Sequence, residues 1–135
     1  MAARPVRVLL ADDHRLFLNA LQVALATVEW LEVVGCAANG EEAVDLVGLL
    51  EPDIVLMDVS MPVLDGIAAT RRIRERFPSS AVVILTGTFD PGGDLRAREA
   101  GASGYVEKTA DLPGLIGSIL AIATFAAASG VSPLR

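Results

Sequence analysis

Five residues of types that suit phosphoryl chemistry stand where apolar stretches of this sequence end. They are Asp12, Asp13, Asp58, Thr86 and Lys108. Carboxylates that are brought together repel one another unless a cation lies among them. Mg²⁺ prefers hard oxygen ligands of this kind and commonly keeps waters and phosphate oxygens as its other ligands. A carboxylate nucleophile beside a divalent metal, an ammonium group and a hydroxyl suits phosphoryl acceptance, provided that the fold brings the five residues together.

These residues can meet only if the strands that precede them end at one edge of a sheet. Short β-branched apolar runs alternate along the chain with stretches of helical period. The predicted strands are residues 6–11, 31–37, 53–58, 81–86 and 104–108. Apolar strands that alternate with helices are typical of an α/β protein with a parallel sheet covered on both faces. In such sheets the functional residues lie at the carboxyl ends of the strands, which is where all five candidates stand.

The first helix is predicted to bury a stripe of apolar side chains that recur at helical spacing. That stripe consists of Phe17, Ala20, Leu21, Ala24 and Val28. Leu18 and Leu25 lie off the stripe. We hypothesise that these two leucines and the apolar fifth helix form a dimer surface or a docking face for another domain.

The remaining helices are bounded by residues that start or stop helices. Asn39 is a predicted N-cap for a second helix that runs through Leu50, and Pro52 prevents its continuation. The third helix lies within residues 64–78 and stops at Pro78. A short fourth helix within residues 90–102 is weakened at its start by two glycines. The fifth helix begins at Leu112 and runs to about residue 128.

Composition and charge argue against several classes of protein. The 135 residues fit one domain, which we place at residues 1–128, with residues 129–135 as the start of a linker or tail. The net charge of −6 argues against nucleic acid binding by this chain, because phosphate contacts need a basic face. The longest apolar window, about 14 residues, is too short to cross a membrane, and no signal peptide is recognisable. Cys36, the only cysteine, is expected to be buried. A cytoplasmic protein is the simplest interpretation.

Four stretches of the sequence resemble the signatures of bacterial response-regulator receiver domains. They read "VLLADDHRLFLNAL", "IVLMDVSMPVLDG", "VVILTG" and "GYVEK". The "DDH" opening and the "MPVLDGIAATRRIRERFP" block are most similar to receivers of the NarL/FixJ class, which usually carry a C-terminal helix-turn-helix domain. The resemblance extends from residue 5 to about residue 128. It implies a doubly wound, flavodoxin-like (βα)5 fold, a three-layer α/β sandwich whose parallel five-stranded sheet has the order 2-1-3-4-5.

The resemblance also implies a role for each acidic residue. Asp58 would be the phosphoacceptor for a sensor histidine kinase. Asp13 and Asp58 would bind Mg²⁺ directly, and the main-chain carbonyl of Ser60 would be a third ligand. Asp12 would act on the same ion largely through water.

Three further positions correspond to the catalytic and switch residues of the family. Thr86 would move toward the phosphoryl group, Lys108 would pair with it, and Tyr105 would change rotamer together with the threonine. The implied function is the receiver domain of a two-component response regulator that controls transcription. Such a domain is a phosphoacceptor switch rather than an enzyme, although it would promote its own phosphorylation from small donors and its own dephosphorylation.

The implied partners follow from the same class. They are a sensor histidine kinase and a DNA-binding helix-turn-helix domain C-terminal to this chain. A second copy of the chain would bind through helices 1 and 5, or through the face formed by helix 4, strand 5 and helix 5. Neither direct nucleic acid binding nor a membrane is expected.

Several positions depart from the usual pattern of the family. Gly87 follows the threonine where alanine is more usual, and Glu107 stands before the lysine where an apolar residue is common. Thr109 occupies a position where many receivers have a proline after a cis peptide bond. An alternative function is therefore a receiver-like module that works through protein contacts without phosphorylation.

Two other interpretations of the acidic region carry less weight. An aspartate-nucleophile phosphatase usually has a second aspartate two residues after the nucleophile, where this chain has Ser60. His14, the only histidine, is expected to lie in a loop or in the first turn of the first helix, although its position beside the acidic pair would let it perturb the site.

Overall fold

The computed structural model describes residues 4–88, 90–108 and 111–128; side chains of residues 123 and 125–128 are not part of the description. Five strands alternate with five helices: β1 (Val6–Ala11), α1 (Arg15–Leu25), β2 (Leu31–Ala37), α2 (Gly40–Leu50), β3 (Ile54–Asp58), α3 (Gly66–Arg76), β4 (Ala81–Thr86), α4 (Gly93–Glu99), β5 (Gly104–Glu107) and α5 (Leu112–Ala128). The strands pair in parallel in the order β2-β1-β3-β4-β5. The predicted fold class and sheet order are confirmed. The predicted tail, residues 129–135, lies outside the described residues.

The three central strands carry the hydrophobic core because helices cover both faces of the sheet. Successive side chains of a strand point to opposite faces. Leu9, Val55 and Ile84 therefore belong to the layer beneath α2, α3 and α4. Their neighbours Leu10 and Leu56 belong to the layer beneath α1 and α5. Burial on both faces holds these strands rigidly and determines where their carboxyl ends emerge.

Helix α1 buries Leu21 and packs Phe17 against the same core, as predicted, but it also turns inward side chains that were predicted to lie off the stripe. Leu25 is only 1% exposed and belongs to the core beneath α1 and α5, and half-buried Leu18 packs against that core. Ala20 is exposed, and Val28 lies beyond the end of the helix. Large apolar side chains gain more than alanine from burial, so the leucines face inward. The hypothesis that Leu18 and Leu25 form a docking face is therefore wrong. The large apolar side chains that α1 exposes are Leu16 and Val23.

The helix ends agree with the predicted start and stop residues. The side chain of Asn39 accepts a hydrogen bond from the main-chain N–H of Glu42, as an N-cap does. Glu51 ends α2 in the left-handed conformation, immediately before Pro52. Helix α4 has only seven residues, and Gly92 precedes it with φ of +80°. A glycine adopts that conformation without the steric cost that other residues meet.

The edge strand β2 is less buried than expected from its sequence. Cys36 is half-buried rather than buried, because β2 has a neighbouring strand on one side only. It lines a surface cleft of about 350 Å³ together with Asn19 and Gln22 of α1. Partial burial still raises the pKa of the Cys36 thiol, since desolvation disfavours the thiolate.

Candidate functional site

Hydrogen bonds that extend just past the ends of the strands place the acidic residues and the lysine at one edge of the sheet. The main-chain N–H of Asp12 donates to Ala37 at 3.0 Å, which extends the pairing of β1 with β2 by one residue. In the same way Val59 donates to Leu85 at 3.0 Å, next to Asp58. These bonds continue the sheet pairing past the strand ends and so fix the main chain at Asp12 and next to Asp58.

The loop after β3 can fold back over the site only because residue 66 is glycine. Its N–H donates to the carbonyl of Val59 at 3.0 Å. A Cβ atom at Gly66 would lie 2.1 Å from the main-chain oxygen of Asp58, which is too close for any other residue. The side chain of Asp65 caps the helix by accepting from Ala68. Helix α3 therefore starts in contact with the end of β3.

Lys108 joins the acidic residues that leave β1 and β3. Its main-chain N–H donates to the carbonyl of Thr86 at 2.6 Å, and its Nζ donates to Oδ2 of Asp12 at 2.5 Å. The same Nζ lies 2.9 Å from Oδ1 of Asp58. The ammonium group also lies 4.5 Å from the centre of the Phe17 ring, a distance at which the ring face attracts a cation. One cation is thus held by two carboxylates and an aromatic ring.

Asp58 is buried but not fully paired. The residue is 2% exposed, and among the described residues its Oδ2 atom has no hydrogen-bond partner. Burial raises the pKa of the Asp58 carboxyl, and the charge of Asp12 acts in the same direction. The hydrogen bond and the charge of Lys108, with a contribution from His14, oppose that rise in pKa. An unpaired buried oxygen is uncommon in proteins, which indicates that this atom is kept available for a ligand.

Asp13 and His14 complete a group of four candidate metal ligands. One ligand atom from each of Asp12, Asp13, His14 and Asp58 lies within 4.8 Å of all the others. The side chain of Asp13 is 37% exposed, so the group is open to solvent on one side. Carboxylates with room for water are the ligands that Mg²⁺ uses in proteins. The residues present therefore fit a divalent cation.

The rest of the site is an open cleft of about 520 Å³ above Asp58. Ser60, Thr86 and Lys108 are among its lining residues, with Leu16 and Phe17 at one side. The Thr86 hydroxyl donates a hydrogen bond to the carbonyl of Thr88 at 2.8 Å. Asp58, Ser60, Thr86 and Lys108 therefore share one cleft, whereas Asp12 and Asp13 line the cleft that also contains Cys36.

Tyr105 is placed at the α4 side of the sheet. Its side chain is half-buried, and its hydroxyl group lies against the start of α4, where a Cβ at Gly93 would come within 2.4 Å of it. The absence of a side chain at Gly93 therefore makes room for the tyrosine ring. Tyr105 does not line the cleft above Asp58.

The residues that depart from the family pattern do not obstruct the site. A Cβ at Gly87 would meet no atom within 4 Å, so the space beside Thr86 is open. Glu107 is exposed and does not line the cleft. The peptide bond between Lys108 and Thr109 lies outside the described residues, since Thr109 is not among them.

Comparison with known proteins identifies the family to which this fold belongs. A family model described as the response regulator receiver domain matches residues 8–120 of the chain. The chain belongs to this family. As a receiver domain it is the signalling-switch part of a two-component response regulator. The resemblance in sequence is thus confirmed at the level of the family.

Two curated relatives and one solved structure show how the receiver domain compares with other members. It is 38% identical to the response regulator GacA of Pseudomonas aeruginosa over 128 residues, which are 95% of this chain and 59% of that protein. It is 36% identical to the transcriptional regulatory protein DegU of Brevibacillus brevis over 118 residues, 87% of this chain and 50% of that protein. A two-component response regulator of the LuxR family from Aurantimonas sp. SI85-9A1 has a TM-score of 0.82 and 37% identity, over 87% of this chain and 84% of that one. The chain therefore spans between half and three fifths of the curated relatives' length.

Two residues near the site make contacts that the sequence does not indicate. The sequence places Phe17 in the core stripe of α1, and its helical spacing gives no sign of the contact with Lys108. His14 was expected to be a loop or first-turn residue, and it does precede α1, but its ring also lies against the acidic pair. Among the residues that the structure describes, no helix is long and apolar enough to cross a membrane.

Proposed function

We propose that Asp58 accepts a phosphoryl group from a sensor histidine kinase in a reaction that depends on Mg²⁺. The observation that carries this proposal is that the two oxygens of Asp58 differ in their hydrogen-bond partners. Lys108 holds Oδ1, whereas Oδ2 is buried beside the cleft without a partner among the described residues. An oriented carboxylate with one unpaired oxygen is suited to in-line attack on phosphorus.

The acidic residues would hold the cation. Asp13 and Asp58 would be direct ligands, with the main-chain carbonyl of Ser60 as a third, and Asp12 would act largely through water. When bound, Mg²⁺ neutralises charge on the phosphoryl oxygens during transfer. Asp12 is already paired with Lys108 at 2.5 Å, which supports an indirect role for this carboxylate.

The transfer replaces one bond to phosphorus by another. An oxygen of the Asp58 carboxylate attacks, the phosphorus–nitrogen bond of the kinase phosphohistidine breaks, and an acyl phosphate forms. With acetyl phosphate, the bond that breaks is a phosphorus–oxygen bond and acetate leaves. Lys108 lies 2.9 Å from Asp58 and can pair with a new phosphoryl oxygen without a large movement.

The switch would follow from the rearrangement of Thr86. Its hydroxyl donates to the carbonyl of Thr88, and it must leave that acceptor to bind a phosphoryl oxygen. Differential contacts of this kind shift a two-state equilibrium. We expect Tyr105, whose hydroxyl lies against Gly93, to change rotamer and so transmit the change to α4.

The experiment that tests the proposal is intact-mass analysis after incubation with acetyl phosphate and Mg²⁺. We expect an increase of about 80 Da, the mass of one HPO₃ unit, in the wild type. EDTA should prevent the increase, and the variant Asp58→Ala should not show it. A wild-type protein without the increase, or an Asp58→Ala variant with an undiminished one, would show that the proposal is wrong. The first result would favour the module that works without phosphorylation. The rate of return to the original mass measures the self-dephosphorylation that we also propose.

We propose further that phosphorylation controls transcription through a DNA-binding helix-turn-helix domain linked to the receiver. Phosphorylation would either release that domain or pair two copies of the receiver. The pairing surface would be α1 and α5, or the face formed by α4, β5 and α5. The curated relatives support this output, since one is a transcriptional regulatory protein and both extend beyond the matched region. Light scattering of the chain with and without acetyl phosphate tests the pairing. A mass that stays monomeric in both conditions would exclude pairing by the receiver alone.

A further inference from the structure

His14 occupies a helix-capping position but does not act as a cap. It precedes α1 with an extended backbone, and its side chain makes no hydrogen bond to the helix. Residues at this position usually satisfy the first N–H groups of the helix. The ring is directed to the acidic pair instead: Nδ1 lies 3.0 Å from Oδ1 of Asp12 and 3.4 Å from Oδ1 of Asp13. The imidazole is therefore held where it can join the carboxylates around a cation.

The geometry of the group lets His14 reach an ion that Asp13 and Asp58 hold. The ligand atoms of Asp12, Asp13, His14 and Asp58 lie within 4.8 Å of one another. Ligands that are about 2.1 Å from an ion lie at most roughly 4.2 Å apart when they face each other across it, so small adjustments suffice. An independent observation also indicates a ligand, since Oδ2 of the 2%-exposed Asp58 has no partner among the described residues.

The donor types determine which ions the group prefers. Oxygen donors alone suit Mg²⁺, whereas an imidazole nitrogen favours divalent ions of the later first transition series such as Co²⁺ and Ni²⁺. We propose that His14 is a nitrogen ligand for divalent transition metals at this site, and that it makes the site bind them more tightly than its carboxylates alone would. This inference rests on the proposed metal site. It assigns His14 no part in binding Mg²⁺, which is satisfied by carboxylates and water.

The sequence makes the test specific, because His14 is the only histidine of the chain. Any imidazole signal that responds to a metal must come from this residue. The experiment uses the whole chain at pH 8 and titrates it separately with Co²⁺ and with Mg²⁺, by calorimetry and by NMR of the ring protons. The variants are His14→Ala and His14→Asn, and Asp13→Asn is the control that weakens carboxylate ligation. Asn is a good capping residue, so His14→Asn separates loss of a ligand from damage to the start of α1.

We expect both His14 variants to bind Co²⁺ about tenfold or more weakly, since even the loss of an outer partner of a ligand costs that much. Their affinity for Mg²⁺ should stay within about twofold of the wild type, because oxygen ligands and water suffice for that ion. In the wild type, broadening of the imidazole signals by paramagnetic Co²⁺ places the ion beside His14, and the affinities of the two variants decide whether the ring is a ligand. Asp13→Asn should weaken the binding of both ions.

Two results would overturn the inference. One is unchanged Co²⁺ affinity in both His14 variants. The other is an equal loss of Co²⁺ and Mg²⁺ affinity in His14→Asn, which would mean that the ring only positions the carboxylates. Failure of the proposed function looks different, because Mg²⁺ would then not bind to the wild type and acetyl phosphate would add no mass.

Discussion

The two aspartates at the ends of β3, one just before the strand and one as its last residue, are buried to nearly the same degree, with 3% of Asp53 and 2% of Asp58 exposed. Asp53, before the strand, has both oxygens occupied. Arg4 donates to them through two guanidinium nitrogens at 2.8 and 2.9 Å, and the main-chain N–H of Arg7 adds a bond of 2.8 Å. Asp58, at the end of the strand, is held through Oδ1 by Lys108, while Oδ2 has no partner among the described residues.

The difference between these two residues separates a structural carboxylate from a reactive one. Burial costs a carboxylate its hydration, and Asp53 recovers that cost through hydrogen bonds and an ion pair. The same ion pair raises the pKa of the Arg4 guanidinium. Asp58 recovers only part of the cost, and burial raises its pKa. Natural proteins accept incomplete pairing mainly where function needs it.

The largest effect is expected from removing the fully paired carboxylate. Asp53→Ala leaves the N–H of Arg7 and the guanidinium of Arg4 without their acceptor. We expect the free energy of unfolding to fall by about 2–3 kcal/mol, in line with the cost of unpaired buried donors. Urea unfolding measures it as a lower midpoint at constant slope. Asp45→Ala, at an exposed position of α2, is the matched control and should change stability little. A loss no larger than that of the control would contradict the structural role of Asp53.

The sharpest contrast is between the two isosteric changes. Asp58→Asn removes a buried charge that is only partly paired, and Lys108 keeps Asp12 as its partner. We expect this variant to be more stable than the wild type by about 1 kcal/mol in buffer without divalent metals. Asp53→Asn should lower stability, because it weakens the bonds from Arg4. If both substitutions changed the free energy of unfolding in the same direction, the distinction between a structural and a reactive carboxylate would be wrong.

A smaller effect, on the rate of phosphorylation, is expected when the aromatic ring beside the ammonium group is removed. Phe17→Leu keeps an apolar side chain but removes the ring that lies 4.5 Å from Nζ of Lys108. We expect phosphorylation by acetyl phosphate to slow by about threefold, which corresponds to a weak cation–π contact. Phe17→Tyr keeps a ring and should retain most of the rate at saturating Mg²⁺. Equal losses in the two variants would mean that the cation–π contact does not contribute.

The smallest expected effect is the change with pH in the stability difference between Asp58→Asn and the wild type. The pKa of Asp58 is raised in the folded state, so ionisation of this group costs stability. That cost is absent below the unfolded pKa, where both states are protonated, and it is complete once the pH exceeds the folded pKa. The stability advantage of Asp58→Asn should therefore shrink by a few tenths of a kcal/mol or more per pH unit as the pH falls through that range. Urea unfolding of both proteins from pH 7 to pH 4 without metal measures this, and an advantage that grows in acid would contradict it.

Most of the fold could be predicted because its signals are local. Continuous apolar runs mark buried parallel strands, and residues such as Asn39 and Pro52 mark helix ends within a few positions of where they act. The first helix was harder because α1 has apolar side chains on several sides. Its periodicity was compatible with more than one buried stripe, and packing against β1 and α5 selected the one that contains Leu25.

The sequence by itself determined which residues could do chemistry and that strand ends would deliver them, because side-chain type and strand pattern are properties of short segments. Only the tertiary structure decided how each carboxylate is paired. Arg4 and Asp53 are 49 positions apart, and Lys108 and Asp12 are 96 apart. Contacts over such separations depend on sheet order and register, and no local pattern encodes them. That is why two aspartates five positions apart at the two ends of β3, Asp53 and Asp58, differ so much in how their oxygens are used.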